Sequence, residues 1–520
     1  MAAFPLRWLK LLHRLLDHGS RRAIPPCGNN RAASRSGGAW IGGCFNRRNS
    51  YEVDVDRQQV RARVHASPDP GSALRGRATA VWLLFLTQII VVCGFWFWNH
   101  VRSPAGSLFL KGVPEILLAA GRLAGLGAAF GLLLQLILIG RNNWVERSFG
   151  LDRLVWVHHK NGLLVVGALI AHPILVTAGH AMRERVSVWV QLKDFLTTWD
   201  AVPLAAAGWL IFLTLGAFSL APVRRRIRYE RWYATHLTAY AAIVLVFFHQ
   251  TGVGRDFTKN PLFAAYWYGL NACVAASLLF FRFLSPALLF WRHRFAVDRL
   301  ERETDDVISV VIRGRNLAAF RIEAGQFMFV RFWAEPFWWQ SHPFSLSRLP
   351  DGKEIRLSIK RVGDFTASIP KIAPGTPVLI DGPHGVFTAA RCRSRKVLMI
   401  AAGIGITPIR SLGEELAAGG REVLVLYGNR TKASIVFQEE LGELEAIYPN
   451  LRVIHVLSHD PSWAGEKGRI DAEKIRRLTS DVAEREVYLC GPPPLVKDVL
   501  KALALMEVPH SAIHWERFSL

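Results

Sequence analysis

The sequence is poor in acidic residues and in paired cysteines, and each shortage removes a class of protein. There are 41 Asp and Glu against 64 Lys and Arg, for a formal net charge of +23. The six cysteines (Cys27, Cys44, Cys93, Cys273, Cys392 and Cys490) are scattered and form no CxxC pair. A zinc site, an iron–sulfur domain and a disulfide framework are therefore not expected. No apolar stretch in the first 77 residues is long enough for a secretory signal, and no internal repeat or calcium-binding helix–loop–helix module is present. The positive charge is not gathered on a nucleic-acid module, so no nucleic-acid partner is expected.

What is present is apolar mass. The chain has 520 residues, 51% of them hydrophobic, with a mean hydropathy of +0.19; both values point to membrane spans, and the length to several units. Residues 1–77 carry fourteen Lys and Arg against five Asp and Glu and read as a basic, disordered, solvated tail. An organelle transit peptide or an early start codon are the alternatives. Six apolar runs follow, near 78–98, 113–139, 156–178, 202–221, 232–250 and 262–283. Each is long enough to cross about 30 Å of hydrocarbon. The loops on one side hold thirteen basic residues, including the cluster Arg224, Arg225, Arg226, Arg228 and Arg231, and those on the other side hold seven. The positive-inside rule puts both termini in the cytoplasm. An integral protein of the plasma (inner) membrane is expected.

From about 292 the texture changes to short alternating strands (Asp306–Arg313, Gln326–Phe332, Ile355–Ile359) punctuated by Gly and Pro, the pattern of a small antiparallel β-barrel. After about 395, strands (Lys396–Ala401, Val423–Tyr427, Leu451–Leu457, Val487–Leu489) alternate with helices, one after Thr407 and one from about Ser434. That is an α/β parallel sheet. The expected fold is a multi-domain membrane protein: a tail (1–77), a six-helix transmembrane bundle (78–291), an antiparallel β-barrel (292–392) and an α/β parallel-sheet domain (393–520).

Ionisable groups at membrane depth are costly and mark function. The third run holds His158, His159 and His172, and the fifth holds His236 and His249. His158 to His172 spans fourteen residues, about 21 Å of rise and about 1400° of rotation, some 40° short of four whole turns. Both rings can face one partner helix. His236 to His249 is thirteen residues, matched in depth at about 19.5 Å but about 220° beyond a whole number of turns. A π-bulge or distorted turn is needed to align those rings. Pairing His158 with His236 and His172 with His249 gives two bis-imidazole sites suited to b-type haems. Hydrogen-bonded histidines without metal are the alternative. His158 has better helical phase than His159. Arg122, roughly nine residues into the second run, suits a haem propionate.

The remaining motifs, each an ordinary loop when taken alone, together suit nucleotide binding. His342-Pro343-Phe344-Ser345, Gly363-Asp364-Phe365-Thr366 and Gly382-Pro383-His384-Gly385 place glycines where backbone N–H groups can approach a pyrophosphate. Gly403-Ile404-Gly405-Ile406-Thr407-Pro408 follows an apolar strand and opens a helix, a phosphate-cradling arrangement. Arg430 lies just past the next strand, where a cation can meet a 2′-phosphate, which favours NADPH while NADH stays possible. Cys490-Gly491-Pro492 ends a strand, and the chain closes Glu516-Arg517-Phe518-Ser519-Leu520.

In this order and at these separations the motifs resemble the ferredoxin–NADP reductase superfamily, and the HPFS version resembles its membrane branch, the ferric reductases and NADPH oxidases. The resemblance covers residues 78–520. It implies FAD held by His342 and Pro343 to Ser345, with Phe344 packed on the flavin and Ser345 near its reactive nitrogen. It implies pyrophosphate contacts from Gly363 and Thr366, with Gly382 and Gly385 nearby. It implies NADPH on Gly403, Gly405, Thr407 and Pro408, with Cys490, Gly491 and Pro492 beside the nicotinamide. Glu516 and Phe518 fall in the Glu-Arg-Phe ending, where Phe518 would shield the flavin. The fourteen and thirteen spacings match that family's haem ligands. The chain departs from the animal oxidases in its short 251–261 loop and in Val176, one turn past His172, where some oxidases have a second His.

These readings lead to electron transfer from cytoplasmic NAD(P)H through FAD and two haems to a small-molecule or ionic acceptor across the membrane, either ferric iron or dioxygen. A haem-free flavin reductase serving quinone or a protein partner is the alternative, and a non-enzymatic redox sensor a third reading. Membrane lipid is the other expected partner; the oligomeric state is open.

Overall fold

The computed structural model describes residues 70–101, 112–227, 229–254, 256–257, 260–336 and 338–517. Of the basic tail, 1–69 lies outside them, as does Phe518. The first helix, α1 (Pro70–His100), reaches back into the stretch expected to be tail. A proline at the first helical position is preorganised for that start.

Among the described residues six helices are long and apolar enough to cross a membrane: Gly76–His100, Val113–Ile139, Leu151–Glu184, Val202–Ser219, Glu230–Gly252 and Pro261–His293. In residue order the elements are α1, α2 (Val113–Ile139), the short α3 (Asn143–Phe149), α4 (Leu151–Glu184), α5 (Val188–Thr197) and α6 (Val202–Ser219). The fifth span is α7 (Tyr229–His236) and α8 (Ala239–Val253), and the sixth is α9 (Pro261–Leu279), a π turn over Phe280–Leu284 and α10 (Ser285–His293). Glycines let α2 and α4 approach closely. A Cβ at Gly131 would meet Val165 at 2.5 Å, and one at Gly179 would meet Leu118 at 2.8 Å. Trp82, Trp156, Leu164, Leu210 and Leu262 point outward, as suits a lipid solvent that asks only for satisfied backbone.

Two three-stranded antiparallel sheets follow. One is β1 (Ala296–Arg302), β2 (Val307–Arg313) and β5 (Ile355–Lys360); the other is β4 (His342–Ser345), β3 (Phe327–Phe332) and β6 (Val378–His384). Single bridges, Ala296 to Pro377 and Leu346 to Leu357, join them at both edges, so the six strands close around a core that includes Val310, Ile312, Met328, Val330 and Leu357. Closure leaves no open edge. The helix α11 (Asp364–Ser368) precedes β6.

The last part is a six-stranded parallel sheet, with β7 (Lys396–Ala402), β8 (Glu422–Asn429), β9 (Leu451–Leu457), β10 (Glu466–Lys467), β11 (Glu486–Gly491) and β12 (Ile513–Arg517) in the order β10-β9-β8-β7-β11-β12. Its crossovers include α12 (Ile406–Ala418), α13 (Gln438–Ile447), α14 (Ala472–Leu478) and α15 (Pro493–Leu505). The helix expected from Ser434 starts instead at Gln438, because Lys432–Ser434 forms a 3-10 turn and Phe437 takes a left-handed backbone at φ 62.

Candidate active site: three clusters from membrane to nucleotide fold

The interruption in the fifth span sets its histidine geometry. His236 ends α7, the chain turns at Leu237 and Thr238, and α8 carries His249. The Thr238 hydroxyl donates to the Thr235 carbonyl at 2.7 Å, a local bond that competes with the helical ladder. This turn supplies the rotation that a continuous helix lacks. The ring centroids of His158 and His236 lie 6.2 Å apart, and those of His172 and His249 lie 6.3 Å apart. A metal–imidazole bond of about 2 Å on each side, plus about 1 Å from each coordinating nitrogen to its ring centre, requires about 6 Å. Both pairs therefore fit one metal between two imidazoles. His159 is exposed, whereas His158 faces the partner helix.

The surroundings orient the rings. The Gly121 carbonyl accepts from His172 Nδ1 at 2.8 Å. A carbonyl only accepts, so Nδ1 carries the proton and Nε2 keeps its lone pair, the arrangement of a ligating histidine. Gly125 makes room: a Cβ there would come within 2.7 Å of that Nδ1. Gln135 Nε2 donates to the His158 carbonyl at 3.0 Å. The Nδ1 atoms of His158, His236 and His249 are buried with no partner among the described residues, so protein alone leaves those rings unsatisfied.

Arg122 has a protein neighbour as well as the propionate role expected of it. The Asp256 carboxylate accepts from His100 at 2.8 Å and Asn99 at 3.0 Å. Burial works to raise the Asp256 carboxyl, but those hydrogen bonds and the charge of Arg122 hold it below its ordinary range.

The expected flavin motifs meet in the barrel. Strand β4 presents His342–Ser345 against β3, with Met328 opposite Phe344 and Phe327 opposite Ser345. Phe365, between Gly363 and Thr366, stacks on His342 at 4.0 Å between centroids and lies parallel to Phe344 at 6.4 Å. The two motifs thus form one aromatic cluster. Thr366 Oγ1 accepts from the Val362 and Gly363 N–H groups at 2.8 and 3.0 Å. Gly382 and Gly385, with φ of 147° and 100°, hold backbone that side chains with a Cβ rarely adopt.

The membrane half reaches into this loop through residues outside the expected haem and nucleotide sites. Arg141 pairs with Asp381 and lies 3.3 Å from the Phe329 ring centroid. Glu146, buried on α3, accepts from Gly385 N–H at 2.8 Å, with His384 Nδ1 4.0 Å from its other oxygen. Burial raises the Glu146 carboxyl above its ordinary value, although His384 and the Gly385 hydrogen bond oppose it. In sequence these residues look like ordinary loop charges.

The nucleotide motifs gather at the C-terminal end of the parallel sheet, where such sheets bind ligands. Gly403 has φ 53 and Gly405 follows in the same 3-10 turn. A Cβ at Gly405 would collide with the Cys490 carbonyl, so only glycine permits this approach. Thr407 is buried and, with Pro408, sits in the first turn of α12. Strand β11 lies between β7 and β12, pairing Cys490 with Ala401 and with Glu516, and Gly491 with Arg517; Pro492 caps α15. Burial pushes the Cys490 thiol well up. Glu516 is also raised, first by burial and then by the charges of Asp152 and Glu146. A Cβ at Gly385 would lie 3.3 Å from Glu516 Oε1, so Glu146 and Glu516 both approach Gly385. Arg430 is exposed at the end of β8. Arg356 of the barrel and Arg410 of α12, both buried, share Glu440 at 2.9 and 2.6 Å.

Comparison with known proteins agrees in each part. Residues 124–248 match "Ferric reductase like transmembrane component", 289–388 match "FAD-binding domain" and 399–501 match "Oxidoreductase NAD-binding domain". The chain is 32% identical over 204 residues to the ferredoxin reductase component of 3-ketosteroid-9-alpha-monooxygenase from Mycobacterium tuberculosis, covering 38% of this chain and 55% of that protein. It thus spans about half the length of that relative. It is 32% identical over 188 residues to ferredoxin–NADP reductase B of Sorangium cellulosum, covering 34% of this chain and 77% of that one. Among solved structures, the FAD/NAD-binding domain of nitric oxide dioxygenase from Vibrio cholerae aligns over 43% of this chain and 97% of its own, at 24% identity and a TM-score of 0.39. The chain is thus an oxidoreductase of ferric reductase/NADPH oxidase-like build, in which a ferric reductase-type membrane bundle is joined to a half that belongs to the ferredoxin–NADP reductases.

Proposed function

We infer that this protein carries electrons from cytoplasmic NAD(P)H, by way of FAD and two b-type haems, to ferric iron or dioxygen on the far side of a plasma (inner) membrane. The observation that carries the reading is the pair of histidine couples at 6.2 and 6.3 Å between α4 and the fifth span. When bound, FAD turns a two-electron hydride into single electrons and bis-histidine haems carry those electrons onward. His158 and His236 would hold one haem and His172 and His249 the other. His342, Pro343, Phe344 and Ser345 would hold the flavin, with Gly363, Thr366, Gly382 and Gly385 at its phosphates. Gly403, Gly405, Thr407, Pro408, Gly491 and Pro492 would bind the nucleotide. Cys490 and Glu516, adjacent on β11 and β12, would exclude water and hold a proton beside the nicotinamide, with Phe518 shielding the flavin. The division at 78–291, 292–392 and 393–520 follows these roles, and both termini face the cytoplasm.

The test is NADPH-driven reduction in sealed vesicles with a ferric chelate or a superoxide trap outside, together with reduced-minus-oxidised absorbance of the purified protein. A b-type band and outward reduction are expected. Flavin turnover without that band would leave the haem-free reductase.

A further inference from the structure

The sixth span is longer than a membrane requires. Pro261–His293 is a 33-residue helix, and Ser285 lies roughly 36 Å along it from Pro261 at about 1.5 Å per residue, beyond about 30 Å of hydrocarbon. The last segment, α10, therefore runs at headgroup depth, in the leaflet nearest the flavin half.

A cavity of about 590 Å³ opens at that depth. Ser285, Leu289 and Arg292 of α10 line it, with Asn143 at the start of α3 and Phe320 and Arg321 from the barrel. Gly382 and Pro383 also border it, but His342–Ser345, Gly363–Thr366 and the Gly403–Pro408 turn do not, so most of its lining lies outside the flavin and nucleotide motifs. Neither Arg292 nor Arg321 has a side-chain hydrogen bond or ion pair among the described residues. Two guanidiniums on one cavity, with an amide and a hydroxyl beside them, make a site for a phosphate group.

The next stripe of the sixth span says what else the ligand carries. Ser285, Leu289 and Arg292 recur at i, i+4 and i+7 and so share one face. Leu284, Leu288 and Trp291, each one residue back, make the adjoining face and are 50%, 47% and 68% exposed. An apolar stripe ending in a tryptophan beside a cationic cavity is the pattern of a membrane-interface anchor. A free phosphate has no use for that stripe.

We propose that the cavity between α10, α3 and the barrel binds the headgroup of an anionic phospholipid, its phosphate between Arg292 and Arg321 and its acyl chains along Leu284 and Leu288. The site ties the flavin half to the membrane surface through a lipid.

The experiment is native mass spectrometry of the full chain released from phosphatidylcholine nanodiscs containing a minor fraction of phosphatidylglycerol. Phosphatidylglycerol should stay bound in preference to phosphatidylcholine. Arg292→Gln with Arg321→Gln should weaken retention about 25-fold, about fivefold for each charge removed near a lipid surface. The Arg292→Lys, Arg321→Lys pair should keep most of it. Equal retention of the two lipids by the unaltered protein overturns the proposal without recourse to a variant. Unchanged retention in the glutamine pair also overturns it, as does displacement of phosphatidylglycerol by inorganic phosphate, which would assign the site to the free anion.

Discussion

The carboxyl of Glu146, in the membrane half, accepts a hydrogen bond from the backbone N–H of Gly385, in the flavin half, at 2.8 Å. Both ends are buried, so Glu146→Ala leaves a buried N–H unpaired, at a cost of about 1–3 kcal/mol. A lower Tm and reduced FAD retention are expected. Glu146→Gln keeps an acceptor oxygen and removes the titration. Because burial raises this carboxyl above 4.5 in the folded protein, its contribution to stability is full below pH 4.5 and is lost as pH rises through the folded pKa. Unfolding of the glutamine variant should show a flatter pH dependence above pH 4.5 than the parent. Identical slopes in denaturant titrations would refute that assignment.

His172→Ala should stop transfer to an outside acceptor while NADPH still reduces the flavin, and should remove about half of the haem absorbance, one site of two. Gly125→Val should resemble it, since its new Cβ falls 2.7 Å from His172 Nδ1. Stopped-flow absorbance separates the flavin and haem phases. Full outward transfer in His172→Ala would remove this residue as a ligand.

Glu440 holds two arginines that have little access to water. Their side chains are 8% and 4% exposed; Arg410 also pairs with Glu414, so Glu440→Ala strands the buried charge of Arg356, at a cost of about 3–5 kcal/mol when one partner is removed. Thermal unfolding should fall by several degrees. Because Arg356 is on the barrel and Arg410 on the nucleotide fold, KM for NAD(P)H should also rise. Losing Arg430 should instead be a matter of binding alone.

Arg430→Ala should lower kcat/KM for NADPH by about ten- to a hundredfold, since a charge-assisted pair with a 2′-phosphate is worth roughly 1.5–3 kcal/mol, and leave NADH unchanged. Equal losses with both nucleotides would assign Arg430 to the common phosphates.

The six spans are legible in the sequence because apolar runs of that length are hard to bury anywhere but in a bilayer. The nucleotide turn is legible because Gly403 and Gly405 follow a run of buried strand residues. So are the α4 histidines, since fourteen residues nearly close four turns on a straight helix. That the fifth span must be distorted is legible too, from its thirteen-residue spacing, but the place of the break is not. No glycine or proline marks the Leu237–Thr238 turn, and Thr235 with Thr238 is the one local signal it offers. Strands β1, β4, β6 and β12 are hidden because their pattern of burial is set by partners far along the chain. Glu146 is hidden for the same reason: its partner is 239 positions away, and beside Arg147 it looks like any loop charge.

The turn inside the fifth span also changes what a gap in a sequence comparison means. One residue added at Leu237–Thr238 can be taken up by irregular backbone, whereas one added within α8 ahead of His249 swings that ring by about 100°. Counting residues between the two histidines is therefore a poor guide to whether a distant homologue keeps both rings facing α4; where the extra residue falls decides it.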